Sequence, residues 1–121
     1  MSDFGDNINN SSNKKTGRIF NVLGLAKKAG VLAAGSERVL DSVRKRSAVQ
    51  VYISSDASEN TVKKLSDKTA FYNIPSIKID LTMDELAHCI GCIYPTAAVS
   101  LTDKNFLKLM EKCLKDSDDT T

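Results

Sequence analysis

"GVLAAGSERVLDSVRKR", residues 30–46, reads as helix end, strand, turn and helix in one line. Gly30 is placed to end a preceding helix, because glycine enters the left-handed conformation that closes helices without a Cβ penalty. Val31 to Ala34 is an apolar run of strand length. Gly35-Ser36 interrupts it, with Ser36 in the position of an N-cap whose hydroxyl would accept from the first turn. Val39, Leu40 and Val43 recur at helical spacing and form a face to bury. Arg44, Lys45 and Arg46 complete the helix, where positive charge complements the carbonyl end of the dipole.

The alternation extends in both directions. Upstream, Ile19, Phe20, Val22, Leu23 and Ala26 make an apolar stripe of helical period. Downstream, VQVYIS at 49–54 is a β-rich run suited to a central strand. Asp56 to Glu59 has capping-box spacing ahead of a helix that buries Val62, Leu65 and Phe71 or Tyr72. Asn73-Ile74-Pro75 stops that helix, since the residue before proline avoids helical backbone. SIKIDL at 76–81 alternates as a strand does, and Thr82 to Glu85 is a second capping box opening a helix through Ile90. TAAVSL at 96–101 is a strand of small residues, and Phe106, Leu109, Met110 and Cys113 mark a last amphipathic helix. The order α-β-α-β-α-β-α-β-α predicts an α/β fold, a three-layer α/β/α sandwich with a mixed four-stranded sheet.

At 121 residues the chain is large enough for one unstapled core. Residues 1–16, rich in Asn, Ser and Asp, are expected to be a disordered tail, and so is the acidic stretch 115–121. That leaves 17–114 as a single domain. Of the 17 basic and 15 acidic residues, three and five fall in the two tails, so the domain keeps 14 basic against 10 acidic. Such a surplus suits a polyanion partner without demanding one. No apolar run is long enough for a membrane span, the start lacks the pattern of a signal peptide, and three cysteines make no secreted disulfide framework. A cytoplasmic protein with no membrane partner is expected.

His88-Cys89-Ile90-Gly91-Cys92 invites a metal or redox reading. A tetrahedral zinc site needs a second ligand pair, and a redox CxxC sits at a helix N-terminus, whereas this one falls at a helix end. Two buried or half-buried thiols are the simpler reading. No nucleophile with its base can be assembled, and Gly35-Ser36-Glu37 matches neither a P-loop nor a dinucleotide fingerprint. What remains is a binding surface. The start of the second helix offers free N–H groups for phosphate or base edges, and Gly35 lets a ligand approach the backbone. Arg38 with Lys27 and Lys28 would add charge. Ile93 and Tyr94, in the loop from Gly91 to Thr96, could pack on unpaired bases. The plainer alternative makes Gly35-Ser36 an ordinary cap and Ile93-Tyr94 the rim of the core.

G-x-x-x-x-G-S-E-x-V-L at 30–40, SSDASENTVKKL at 54–65 and FYNIP at 71–75 together resemble the kink-turn-binding ribosomal-protein superfamily of L7Ae, L30e and Gadd type. The likeness is greatest to its small bacterial YlxQ-like members and runs from about Gly17 to Leu114. It implies the three-layer fold, structured RNA as partner, and neither catalysis nor cofactor. In that family a glycine and the helix residues after it read sheared G·A pairs at a sharp RNA bend, and an apolar loop before the last strand covers extruded bases. The resemblance carries these roles onto Gly35, Ser36, Glu37 and Arg38, and onto Cys92, Ile93 and Tyr94.

The departures from the pattern are chemical. Where the family has Asn, Glu and, three residues on, Lys, this chain has Glu37, Arg38 and Asp41. An amide that donates and accepts becomes a carboxylate that only accepts, and a lysine that would meet phosphate becomes an anion. The resemblance therefore implies a kinked or internal-loop RNA, ribosomal or ribosome-associated. The alternative is a protein–protein adaptor that kept the fold and uses the same face for a protein.

Overall fold

The computed structural model describes the backbone of residues 11–119 and the side chains of residues 17–114. These residues form α1 (Ser11–Lys28), β1 (Leu32–Ala34), α2 (Ser36–Arg44), β2 (Gln50–Ile53), α3 (Glu59–Phe71), β3 (Ser76–Lys78), α4 (Met83–Ile90), β4 (Ala98–Leu101) and α5 (Lys104–Asp119). The sheet order is β1-β4-β2-β3, with β4 antiparallel to both neighbours and β2 parallel to β3. The alternating order and the mixed four-stranded sheet are those expected from the periods. α1 and α5 run past residues 17 and 114, while residues 1–10 and 120–121 of the expected tails lie outside the described residues.

Period-two alternation along the central strands divides the core into two faces. Tyr52, Val99 and Leu101 point to one side, where α1, α4 and α5 contribute Leu23, Leu86 and Met110. Val51, Ile53 and Ala98 point to the other, against Val39, Leu40 and Val43 of α2 and Leu65 of α3. Fully burying such a side chain stabilises the fold by roughly 1.5–3 kcal/mol. Ser100 also faces α2, where Ser42 Oγ lies 2.8 Å from its hydroxyl and donates to the Val39 carbonyl at 2.7 Å. This buried polar pair is satisfied and fixes α2 on β4.

Local details differ from the sequence reading, each for a physical reason. Ser36 is not the N-cap but the first residue of α2; the cap position is Gly35, at φ 96° and ψ 146°. Asp56 does not open α3: Ser58 caps it, accepting from the Thr61 N–H at 3.2 Å. Phe71 stays exposed at 77%, and Tyr72 turns partly inward instead, packed on the α2–α3 cluster. On α5 the buried face rotates, with Leu109 exposed and Leu107 and Leu114 packed against the core beside Met110. β3 pairs over three residues only, although Ile79 and Leu81 beyond it are buried. The expected capping box of α4 is present in full: Thr82 Oγ1 accepts from the Glu85 N–H and Glu85 Oε1 from the Thr82 N–H.

Candidate nucleic-acid interface

Strand directions gather four loops at one end of the sheet. Gly35, following β1, donates its N–H to the Ala98 carbonyl at 2.9 Å. Ser54, following β2, donates to Ala97 at 2.8 Å, and Ser55 donates to Leu81 at 2.7 Å. The loop 91–97 arrives at the same place, with the Thr96 N–H on the Met83 carbonyl at 3.1 Å. α2, α3 and α4 all start here, so three helix N-termini present their first-turn N–H groups and the positive ends of their dipoles to one region.

Their caps are unequal. α4 is closed by its capping box and by Asp56, whose Oδ1 accepts from the Met83 N–H at 2.8 Å. α3 is closed by Ser58. α2 has no side-chain cap at all. Gly35 holds this N-terminus open, in a region of φ and ψ that a side chain would strain, and nothing stands within 4 Å of where a Cβ would be.

Around that opening, Ser36 is half-buried and Glu37 and Arg38 are exposed. Glu37 reaches the Lys64 ammonium of α3 at 3.8 Å, a solvent-screened pair. Arg38 makes no ion pair among the described residues and lines a groove of about 350 Å³ with Asp41 and Lys45, which form their own pair at 3.1 Å. Cys92, Ile93 and Tyr94 are all exposed, Ile93 at 86% and Tyr94 at 70%, in the loop that enters β4 next to Gly35. The expected residues of α2 and of the loop thus meet at one end. Lys27 and Lys28 do not join them. They end α1 before β1 begins, and about 13 Å of extended chain separates that turn from Gly35.

Sequence reading missed Lys64, because no local signal ties it to a glutamate on another helix. It likewise missed Ser54, wholly buried at the end of β2, whose Oγ has no protein partner among the described residues. The Cys89 thiol shows no activated character. Cys89 donates to the Leu86 carbonyl at 3.3 Å, and burial pushes its pKa up to about 11. His88 sits on the surface with its ring 6.3 Å from that of Phe20. Among the described residues no three His, Cys, Asp or Glu side chains converge as metal ligands.

The model of the ribosomal protein L7Ae/L30e/S12e/Gadd45 family matches residues 17–111. The chain belongs to this L7Ae family. It is 32% identical over 98 residues to an RNA-binding protein YlxQ from Enterococcus faecium, covering 81% of this chain and 92% of that one. A Bacillus subtilis (strain 168) RNA-binding protein YlxQ is 34% identical over 87 residues, covering 72% and 85%. Among solved structures, a protein of unknown function from Bacillus halodurans C superposes with a TM-score of 0.71 at 30% identity, covering 80% and 96%. A Giardia lamblia 15.5kD RNA binding protein superposes at 0.70 with 15% identity, covering 99% and 96%, a likeness of fold. The L7Ae-family match spans nearly all of the α/β/α unit, the open α2 terminus and the apolar loop included. Among the described residues no helix is long and apolar enough to cross a membrane.

Proposed function

We propose that this L7Ae-family chain is a non-catalytic, cytoplasmic RNA-binding protein whose folded unit, residues 17–114, takes structured RNA at the Gly35 end. One observation carries the reading: of three helix N-termini gathered there, α2 alone is left without a side-chain cap, beside exposed Ile93 and Tyr94. Free N–H groups suit phosphate or base-edge acceptors, and exposed apolar side chains suit bases pushed out of a stack. The RNA-binding names of the two YlxQ relatives support the same partner. A kinked or internal-loop RNA, ribosomal or ribosome-associated, offers both features together. Glu37 would accept from a guanine edge, Arg38 would reach phosphate, and Lys64 would offset the carboxylate.

A titration against a standard kink-turn, run beside a straight duplex of equal length at low salt, tests this reading. Preference for the kinked RNA is expected. Asp41→Lys should tighten it, steepening the salt dependence by about 0.9 in log–log slope if the new ammonium neutralises one more phosphate. Equal binding of the two RNAs would overturn it. A second reading rests on the acidic Glu37 and Asp41: a protein partner on the same face, for which Asp41→Lys would weaken binding instead.

A further inference from the structure

The other end of the sheet gathers a different set of residues. The turn after α1, the turn after α2 and the chain leaving β4 meet there, with the Thr102 N–H on the Val31 carbonyl at 2.9 Å and the Val49 N–H on Leu101 at 2.7 Å. Lys27 and Lys28 end α1, Arg44 ends α2, Lys45 and Arg46 follow it, and Lys68 lies in the last turn of α3. All six are exposed. Lys45 is paired with Asp41, and the Arg46 guanidinium lies 5.4 Å over the Tyr72 ring. Lys27, Lys28, Arg44 and Lys68 have no ion-pair partner among the described residues.

Beside the same tyrosine stands Phe71, 77% exposed, its ring edge-on to Tyr72 with centroids 5.0 Å apart. A phenyl group in water contributes little to the fold. A helix C-terminus carries about half a negative charge, so one cation would offset it. α1 has two cations at its end, and α2 has one in its last turn and two directly after. The excess charge and the exposed ring lie on one rim.

We propose that this rim is a second RNA-contact surface that takes an unpaired RNA segment. Lys27, Lys28, Arg44 and Lys68 follow the phosphates, and Phe71, backed by the Tyr72–Arg46 stack, receives a base. Unpaired RNA is the occupant because a duplex keeps its base faces stacked inside, whereas a single strand offers a face to every aromatic ring. The cations without an ion-pair partner at this end of the sheet match a polyanion. The groove beside α2 runs from Arg38 past Asp41 and Lys45 to Gly30 and Thr102, and would give one RNA a path from Arg38 to this rim. The inference rests on the reading of the chain as RNA-binding, but not on any preference for kinked RNA.

Fluorescence anisotropy of the full chain with a fluorescein-labelled oligouridine tests it, over a range of salt. Binding is expected with affinity falling as salt rises. The Lys27→Gln, Lys28→Gln, Arg44→Gln, Lys68→Gln quadruple variant should lower the log–log salt slope by about 0.7 for each phosphate no longer neutralised. Phe71→Ala should weaken binding about tenfold while the melting temperature stays in place. Absence of oligouridine binding at low salt overturns the proposal. So does a loss on charge removal with none on Phe71→Ala, which would reduce the rim to a diffuse positive field. A blunt kink-turn without overhang, in parallel, separates the two ends. Failure to prefer it over straight duplex removes the Gly35 reading and leaves the oligouridine result standing.

Discussion

The two ends of this sheet answer the same electrostatic problem with opposite surpluses. At the Gly35 end, helix N-termini meet Glu37, Glu59, Asp84 and Glu85 in their first turns. At the far end, helix C-termini meet Lys27, Lys28, Arg44 and Lys68 in their last turns. Each set complements the helix dipoles. At the Gly35 end the carboxylates offset the dipoles, so what remains for a ligand is directional: the N–H groups of α2 and the shape of the loop. At the far end the cations exceed the dipoles, so what remains is charge. In nucleic-acid recognition these are separate tasks, since base contacts specify and phosphate contacts position. On the two proposed readings, a family member whose α2 carries Glu37 and Asp41 would draw specificity from one end and electrostatic affinity from the other.

Backbone strain is the strongest way to test that division. Gly35 occupies φ 96°, ψ 146°, essentially a glycine-only region, and Gly35→Ala should cost about 1–3 kcal/mol. Thermal unfolding should show Tm lower by roughly 5–20 °C, given about 4–8 °C per kcal/mol in a domain of this size. Arg46 also has positive φ, 61°, but in the left-handed region that other residues visit. Arg46→Gly relieves that cost of roughly 1–2 kcal/mol, loses the Tyr72 stacking and frees the unfolded chain, so the net change should stay within about 1 kcal/mol. Equal shifts for the two variants would break the comparison. They would mean that Gly35 is not conformationally required.

Capping gives a smaller, sharper test inside the Gly35 end. Thr82→Ala removes one partner of the α4 capping box and should cost about 1 kcal/mol. Ser36→Ala should cost less than about 0.5 kcal/mol, because its side chain caps nothing. Paired urea-unfolding midpoints check this. A Ser36→Ala loss matching that of Thr82→Ala would show α2 to be capped after all, removing the observation on which the RNA reading rests.

The fold was legible because its signals are local and agree with one another. The Thr82 box, the stop at Asn73-Ile74-Pro75 and the alternation of Val51, Tyr52 and Ile53 each needed a few neighbouring residues only. Ser36 was misread because serine after glycine looks like a cap, while the positive φ of Gly35 moves the cap position back by one. Asp56 was misread because its partner, the Met83 N–H, lies 27 residues away. Part of the candidate site was legible through resemblance, at Gly35 and the Ile93-Tyr94 loop. The separation of Lys27 and Lys28 from Gly35 was not, because it depends on strand direction. Glu37–Lys64 was hidden for a similar reason, its partners lying on different helices.

A titration at the rim of the α1–α4–α5 core gives a test from outside both ends. Cys89 is half-buried, and desolvation raises its pKa from the ordinary 9.0 to about 11. Below pH 9 the thiol is protonated in folded and unfolded chains alike, so its contribution to stability is fully present. Between pH 9 and about 11 the unfolded chain releases the proton while the folded chain retains it, and stability falls as pH rises. Above that range both states are ionised and this loss is complete. Tyr52 adds to the trend from about pH 10 upward, because burial, then Glu111 and Cys113, raise its phenol. Urea midpoints from pH 8 to 11 should therefore decline, and Cys89→Ala should flatten the part between 9 and 10, before the phenol contributes. An unchanged slope in that variant would show that the thiol is not held in the apolar surroundings assigned to it. A thiol that favours its neutral form is a packing residue of α4, and on the proposed reading the ligand-facing side chains are those of Ile93 and Tyr94 in the loop that follows.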